Sequence, residues 1–232
     1  MSLRYSLSTV SETDVQITFH APLSPALAVY LHHLQQSLHK HLGQALVDSV
    51  LAYERLLLCF SPQHSLSPKQ RETHLNAVLQ QLLAHKAPKK TRPTLTLPVY
   101  YGPEAGADFN SVCEQTGLSA EALIQLHSST LYHVYALGFS PGFAFLGELP
   151  HSLRLPRRAT PRLTLPPGSV AIAHGQTAIY PQSSPGGWHL IGRCPKRLFH
   201  PQKEPPHPFT VGQAVRFEPI SHQTYLSLGG EL

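Results

Sequence analysis

The stretch from residue 138 to residue 192 contains the three runs that constrain the fold most: GFSPGFAFLGELP at 138–150, PRRATPRLTLPPGSVAIAHGQTAIYP at 156–181 and SPGGWHLIG at 184–192. Short β-type runs alternate there with Pro and Gly, at the spacing of turns in barrels and sandwiches. Further β-type runs, YHVYALGF and AVRFEPI, begin at residues 132 and 214, and no convincing helix follows residue 132. We therefore predict a β-barrel, with two short helices before it in SVCEQTG and SAEALIQLHSS.

The first part of the chain alternates strands and helices. Ser24-Pro25 opens a helix whose leucines recur at helical spacing from Leu27 to Leu42, and Ser67-Pro68 opens a second one. The predicted strands are Asp14 to Phe19, Ala45 to Leu51, Arg55 to Phe60 and Thr94 to Tyr100. This β-α-β-β-α-β order predicts a ferredoxin-like α/β sandwich.

The segment HKAPKKTRPT, residues 85–94, is basic, contains Pro and lacks hydrophobic periodicity. Such a segment is typical of a linker between domains. We therefore predict a boundary near residue 92, with a ferredoxin-like domain over residues 1–92 and a β-barrel domain over residues 93–232.

Composition favours a compact cytoplasmic protein. Only 13% of the 232 residues are charged, and 22 are Pro. No stretch approaches the roughly 20 apolar residues of a membrane span, and the N-terminus lacks the apolar core of a signal peptide. The three cysteines, Cys59, Cys113 and Cys194, are far apart and are expected to be reduced thiols.

The positive charge indicates a pocket or a partner surface more than nucleic acid. The net charge is +5, and the basic residues concentrate in two loop-rich segments, RLPRRATPR at 154–162 and GRCPKR at 192–197. Despite 16 histidines, the chain has no HExxH motif and no Cys/His cluster at metal-ligand spacing, so we expect no metal site. The phosphate-loop motifs GxxxxGK[ST] and GxGxxG are also absent.

Several residues of the barrel region are candidates for ligand contact. Phe139 and Phe143 flank the turn Pro141-Gly142, which forms either a barrel corner or an apolar wall for a planar or cyclic ligand. Gly186 and Gly187 permit close backbone approach or a sharp start to a strand, and Trp188 is more often a core anchor than a stacking platform. His127, at the end of a short helix, either exchanges a proton in a cleft or closes the helix end.

Anion binding is expected from Arg158 and Arg162, whose guanidinium groups match a carboxylate or a phosphate, while Gln176 offers an amide donor and acceptor.

Carboxylates, in contrast, are scarce in this region. Between Glu121 and Glu204 the only one is Glu148, so this surface lacks the acids needed for a carboxylate pair or a Mg²⁺ site. The sequence therefore predicts that a partner supplies them.

At these residues the chain resembles the KipI/PxpB family, the B-type subunits of 5-oxoprolinase, formerly called allophanate hydrolase subunit 1. Members carry ELHSS, GFxPGFxYLGxLP, PRRxxPRxxVPxGSVxIAGxQTGIYP and SPGGWxLIG, and this chain has QLHSS and the three runs quoted above in the same order. The resemblance is specific from about Thr94 to Phe217. It implies an α/β N-terminal domain followed by a cyclophilin-like β-barrel.

The resemblance also implies an activity and partners. A chain of this family acts as one subunit of a complex that opens 5-oxoproline to L-glutamate with ATP, together with a PxpC/KipA-like subunit and a PxpA/LamB-like subunit. ATP, with Mg²⁺, is expected to bind mainly at or with the partner. His127 and Gln176 are then the candidate catalytic residues. The candidate substrate-binding residues are Phe139, Pro141, Gly142, Phe143, Arg158, Arg162, Gln176, Thr177, Tyr180, Gly186, Gly187 and Trp188.

Two alternatives stay open. A KipI-like inhibitor of a sensor histidine kinase would bind through an exposed apolar patch on the barrel. A carboxyltransferase component related to urea carboxylase would work with a biotin-carrier domain, and no such domain occurs in this chain. His174 and Ala178 stand where the family commonly has Gly, next to Gln176 and Thr177, so the pocket or its substrate can differ from the family pattern.

Overall fold

Two units divide the chain, residues 1–91 and residues 92–232. The computed structural model describes residues 3–63, 66–84 and 92–232. Of the predicted linker, residues 85–91 lie outside the described residues.

The N-terminal unit has one antiparallel sheet and two helices. Its elements in chain order are β1 (Tyr5–Thr9), β2 (Asp14–Phe19), α1 (Pro25–Leu42), β3 (Leu46–Ala52), β4 (Arg55–Phe60) and α2 (Pro68–Leu83). The strands lie in the order β1-β2-β4-β3. Val15, Ile17 and Phe19 are buried in β2, while the residues between them are half-buried, as expected when one face of a strand covers the core.

Both helices of this unit begin as the sequence predicts. The Ser24 side chain accepts a hydrogen bond from the N–H of Leu27, and Pro25 occupies the first turn of α1. Ser67 and Gln70 form a reciprocal capping box at the start of α2. The leucines predicted for the buried stripe of α1 are buried in the structure.

The second unit contains the remaining nine strands and three α-helices of the described chain. Its helices are α3 (Phe109–Thr116), α4 (Ala120–Ser129) and α5 (His222–Ser227). Its strands are β5 (Leu95–Tyr101), β6 (Tyr132–Leu137), β7 (Ala144–Gly147), β8 (Arg162–Leu165), β9 (Ser169–Ala173), β10 (Gln176–Ile179), β11 (Ser184–Gly186), β12 (His189–Arg193) and β13 (Ala214–Pro219).

Seven of these strands close into a barrel, which confirms the predicted β-barrel. Their order is β6-β13-β5-β12-β9-β10-β7, and β7 pairs back with β6. Residues paired across neighbouring strands share a face. One such face, which includes Tyr101, Tyr132, Thr177 and Phe217, is buried and fills the interior. Strands β8 and β11 form a separate two-stranded sheet.

Two sequence predictions are wrong here. The strand predicted at Thr94 to Tyr100 does not complete the N-terminal sheet, because β5 pairs with β13 and β12 in the barrel. Leu97, Pro98 and Val99 are consecutively buried, which suits a strand covered on both faces. The free edge of β2 is taken by β1, which precedes it in a short hairpin. A helix also follows residue 132, since Ser221 caps α5 by accepting from the N–H of Thr224.

In the described part of the chain, no helix is both long enough and apolar enough to cross a membrane.

Candidate functional site

Aromatic and small apolar side chains form a cluster on the outer surface of the barrel. Thr177 pairs with Ile172 on the interior face, so Ala178 and its partner Ala171 face outward. The cluster on this outward face is buried beneath other segments and contains Phe143, Leu165, Ala171, Ala173, Ala178, Tyr180, Trp188 and Leu190, with Phe145 packed against it. We call this set the outer aromatic cluster.

Phe143 is the centre of this cluster. Its ring lies 5.2 Å from Tyr180, 4.8 Å from Phe145 and 6.2 Å from Trp188, centroid to centroid, in edge-to-face geometry. Such contacts hold aromatic side chains in fixed orientations and add to the stability gained from burial. The cluster therefore forms a rigid apolar wall.

Phe139 extends this wall into solvent. Its side chain is 63% exposed, and its ring lies 5.1 Å from that of Phe143 and 6.2 Å from that of Tyr180. Its φ of 73° is unusual for a bulky residue. A turn that begins there and contains Gly142, with φ 83°, is closed by a hydrogen bond of 3.0 Å from the Phe143 N–H to the Ser140 carbonyl. The turn thus presents an exposed aromatic ring beside buried ones.

Gly186 allows β11 to approach the cluster. A Cβ at this position would lie 2.6 Å from the Tyr180 hydroxyl and 2.6 Å from Leu165 Cδ1, too close for any side chain. At Gly187 the nearest atom to such a Cβ would be 3.6 Å away, so sterics do not require glycine there. The Gly187 carbonyl instead accepts a hydrogen bond of 2.8 Å from the Arg158 N–H. Gly186 therefore lies close to Tyr180, and a backbone hydrogen bond at Gly187 joins the end of β11 to the basic segment.

The two predicted anion-binding arginines share one buried carboxylate, Asp108. Arg162 Nη1 lies 2.6 Å from Asp108 Oδ2, and Arg162 Nη2 lies 2.9 Å from Oδ1. Arg158 Nη1 donates to Oδ1, and the Leu190 N–H donates to Oδ2 at 2.9 Å. Asp108 is 2% exposed, whereas the side chains of Arg158 and Arg162 are 30% and 27% exposed.

Electrostatics keep Asp108 ionised. Burial raises the pKa of its carboxyl, but hydrogen bonds from Arg162 and Leu190 and the charges of both arginines outweigh burial, so the pKa is lowered overall. The same contact with Asp108 raises the pKa of Arg162. Two guanidinium groups and one carboxylate leave one net positive charge in the group.

Arg158 and Arg162 differ in their remaining donors. Arg162 directs both terminal nitrogens to Asp108. Arg158 directs only Nη1, and its Nε is buried with no hydrogen-bond partner among the described residues. A guanidinium binds a carboxylate in fork geometry through pairs of N–H groups. Arg158 therefore uses one of its terminal nitrogens in the contact with Asp108, and Arg162 uses both.

His127 lies in the barrel interior. It is fully buried, with Nδ1 2.7 Å from the Tyr101 hydroxyl and Nε2 2.9 Å from Thr177 Oγ1. Because the Thr177 hydroxyl donates to the Ala171 carbonyl, it accepts from His127, which places the histidine proton on Nε2. Nδ1 then accepts from Tyr101. Burial lowers the pKa of His127 to about 3, so the ring is neutral.

The predicted site residues thus fall into two groups on opposite faces of the sheet. Phe139, Phe143, Tyr180, Gly186 and Trp188 meet at the outer aromatic cluster. Gln176, half-buried and paired with Ala173, lies on the same outward face of β10. Arg158, Arg162 and Gly187 adjoin this group, and Pro141 is exposed in the Phe139 turn. His127 and Thr177 lie on the interior face.

Asp108 is the residue that the sequence analysis missed. The basic stretch itself lacks acids, as the sequence indicates, but the chain brings Asp108 to it from 50 and 54 residues upstream. Its position before α3 resembles a helix N-cap, yet its side chain makes no capping hydrogen bond. No local pattern indicates so distant a pairing. The other nearby acid, Glu148, lies 3.5 Å from Arg154.

Across the described ranges, no group of three or more His, Cys, Asp or Glu side chains is placed to hold a metal ion.

Comparisons with known proteins agree with this architecture. The family described as carboxyltransferase domain, subdomain C and D, matches residues 5–209. A Bacillus subtilis (strain 168) protein, named as the B-type subunit of 5-oxoprolinase, is 32% identical over 235 residues, which cover 97% of each chain. One of the same name from Escherichia coli O157:H7 is 47% identical over 125 residues, 54% of this chain and 57% of that protein.

The solved structure of TTHA0988 superimposes with a TM-score of 0.76 and 36% sequence identity over 90% of this chain. This chain spans only 40% of the length of that protein. The fold described above therefore also occurs within a longer polypeptide. The chain belongs to the carboxyltransferase-domain family of subdomains C and D and, within it, to the KipI/PxpB family.

Proposed function

We propose that this chain is the B-type subunit of an ATP-dependent 5-oxoprolinase complex, which opens 5-oxoproline to L-glutamate. The names of the Bacillus subtilis and Escherichia coli relatives support the activity. The observation in the molecule that carries the proposal is the outer aromatic cluster beside the Asp108–Arg158–Arg162 group. It combines an apolar wall for a small ring with a positive charge for a carboxylate.

Arg158 is the proposed partner of the substrate carboxylate. Only its Nη1 contacts Asp108, its side chain is 30% exposed, and the group as a whole keeps one positive charge. Asp108 and Arg162 position it, because their two-point contact fixes the carboxylate that Arg158 in turn contacts. Phe139, held by its ring contacts with the buried Phe143 and Tyr180, is the exposed part of the wall against which the lactam ring packs. Gln176, on the same face, is proposed to orient the lactam amide.

Ring opening breaks the C–N bond of a resonance-stabilised lactam and adds water. ATP, with Mg²⁺, would supply a phosphoryl group to the lactam oxygen and so make the adjacent carbon a better electrophile. Residues of this chain would hold the ring and its carboxylate while donors stabilise the developing charge. His127 has both ring nitrogens engaged in the interior, so we propose that it positions β10 through Thr177 rather than exchanging protons.

A general base is proposed to come from a partner subunit. Asp108 faces two guanidinium groups, and its lowered pKa makes it a poor proton acceptor. The other acid of this region, Glu148, forms an ion pair with Arg154, with 3.5 Å between Oε2 and Nη2. The position of the same fold within a longer chain, TTHA0988, supports a role as part of a larger assembly. PxpC/KipA-like and PxpA/LamB-like subunits are the proposed partners.

Reconstitution tests this proposal. The chain is purified with its candidate partners, and 5-oxoproline-dependent ATP hydrolysis is measured with each subunit omitted in turn. We expect activity only when this chain is present. Equal activity without it would refute the role of an enzyme subunit.

A carboxyltransferase component is the second candidate, and the description of the matching family favours it. Its reaction would transfer a carboxyl group from carboxylated biotin to an acceptor nitrogen. Adding a biotin-carrier protein with bicarbonate separates the two candidates. Dependence of product formation on biotin favours the carboxyltransferase, and full activity without it favours the 5-oxoprolinase.

A further inference from the structure

A second concave site lies on the barrel unit and shares no residue with the predicted substrate site. It is a cleft of about 620 Å³. Its lining comes from residues 166–168, 181–183, 193–197, 225 and 229–232. The volume falls within the range of small-molecule sites, which is about 300–1,000 Å³.

The walls of this cleft are stiff. Pro166, Pro167, Pro181 and Pro195 line it, and each proline ring fixes one backbone torsion. Gly168 has a φ of 79°, and a Cβ there would lie 2.3 Å from the Cys194 carbonyl oxygen. The Cys194 N–H also donates to the Gly168 carbonyl at 2.8 Å. A preformed cleft binds without the entropy cost of ordering its walls.

Positive charge concentrates in this cleft. Arg193, Lys196 and Arg197 line it, and none of the three forms an ion pair within the described ranges. In the other basic segment, three of the four arginines, Arg154, Arg158 and Arg162, each contact a carboxylate. Glu231 is the one acidic side chain in the lining, so the side chains that line the cleft carry three positive charges and one negative charge.

Arg193 has an unsatisfied donor at the same place. Its Nη1 donates to the Glu231 main-chain carbonyl at 2.8 Å, and the Tyr225 hydroxyl donates to the same carbonyl at 2.7 Å. Arg193 Nε is buried and has no hydrogen-bond partner among the described residues. A buried donor without a partner is costly, and such groups often mark a place that a ligand or water completes.

We propose that this cleft binds the oligophosphate group of a small molecule. Lys196 and Arg197 are exposed cations at its rim, Arg193 is half-buried, and Gln182 and Ser183 add polar side chains. A row of linked phosphates matches several cations better than a single carboxylate does. Identification of that molecule as ATP rests on the proposed function, whereas the anion site stands on the cleft alone.

Isothermal titration calorimetry on the full chain tests the site with inorganic tripolyphosphate, pyrophosphate, orthophosphate and ATP, at about 50 mM salt so that screening is weak. We expect one site per chain, with tripolyphosphate bound more tightly than pyrophosphate and orthophosphate weakest. The double variant Lys196→Ala/Arg197→Ala should weaken tripolyphosphate binding about 10- to 100-fold, because each cation contributes charge-assisted hydrogen bonds to the phosphates. Arg216→Ala removes an exposed cation from β13 and should leave the affinity unchanged.

Failure to bind tripolyphosphate, or equal binding by the double variant and the wild type, would overturn the site. An equal loss in the Arg216→Ala control would also overturn it, because attraction would then be nonspecific. ATP that binds more tightly than tripolyphosphate identifies a nucleotide site, and equal affinities identify a site for the phosphates alone. These measurements need no partner subunit, so their outcome is independent of the 5-oxoprolinase assay.

Discussion

Asp108 engages both terminal nitrogens of Arg162 with its two carboxylate oxygens, at 2.6 and 2.9 Å. The two residues are 54 positions apart in the chain. This contact fixes β8 relative to the segment before α3, while the Leu190 N–H ties the same carboxylate to β12. One buried acid therefore joins three segments around the outer aromatic cluster.

Replacing Asp108 tests how strongly these segments depend on it. Asp108→Asn keeps the shape but leaves two guanidinium groups without their counter-charge. Both arginines are partly exposed, so we expect the free energy of unfolding to fall by about 2–3 kcal/mol, less than for a fully buried pair. Urea unfolding at neutral pH measures this. A change equal to that of Arg216→Gln would contradict the structural role of Asp108.

The loss of unfolding free energy in Asp108→Asn should also depend on pH. The pKa of Asp108 is lower in the folded chain than the ordinary carboxyl value, so its ionised form contributes stability above about pH 4. That contribution disappears as the pH falls through the lowered folded pKa. Unfolding curves of wild type and variant should therefore converge under strongly acidic conditions. A constant difference down to such pH would contradict the assignment.

Much of the fold was predictable because local patterns determine it. The capping residues Ser24 and Ser67 and the leucine stripe of α1 are short-range signals, and the structure contains both helices. Closely spaced turns likewise indicated the barrel. The assignment of β5 failed because strand propensity does not specify a partner, and both units contain strands of similar composition.

The site was only partly predictable for the same reason. The segments GFSPGFAF and SPGGW each combine aromatic residues with Pro and Gly, a pattern that signals a tight turn. In the structure, Phe143 and Trp188 from these two segments lie in one cluster. Alternation along β10 places Thr177 inward and Gln176 outward, but this requires the register of β9 and β10. The pairing of Asp108 with Arg158 and Arg162 depends on tertiary structure alone.

The buried contacts of His127 should be individually important for stability. Tyr101→Phe leaves Nδ1 without a donor, and Thr177→Val leaves the Nε2 proton without an acceptor. Each should lower the free energy of unfolding by about 1–3 kcal/mol, the cost of an unsatisfied buried polar group. Chemical denaturation of both single variants and the double variant measures this. Changes below about 0.5 kcal/mol in both single variants would contradict the hydrogen-bond assignment.

His127 should also make the stability fall in mild acid. Its pKa is about 3 in the folded chain, below the ordinary value of 6.5, so the unfolded chain binds a proton that the folded chain does not. Stability is therefore highest above pH 6.5 and falls as the pH decreases toward 3. His127→Gln should remove a slope of about 1.4 kcal/mol per pH unit in this range. Equal slopes in wild type and variant would contradict a neutral, buried His127.

Replacing Phe139 with Gly should change substrate binding while leaving the stability of the fold nearly unchanged. Phe139→Gly removes the ring contacts with Phe143 and Tyr180 but relieves the positive φ. These effects oppose each other, so the free energy of unfolding should change by less than about 1 kcal/mol. The KM of the reconstituted complex for 5-oxoproline should rise, because the exposed wall is lost. An unchanged KM would exclude Phe139 from the substrate site.

The most direct test of the proposed substrate site is the kcat/KM for 5-oxoproline of the reconstituted complex carrying Arg158→Gln, with Arg216→Gln as the matched control. Circular dichroism first establishes that both variants are folded at the assay temperature. We predict that Arg158→Gln lowers kcat/KM about 10- to 100-fold, through a raised KM, while Arg216→Gln leaves it unchanged. A kcat/KM for folded Arg158→Gln equal to that of the wild type would contradict the proposal that Arg158 pairs with the substrate carboxylate.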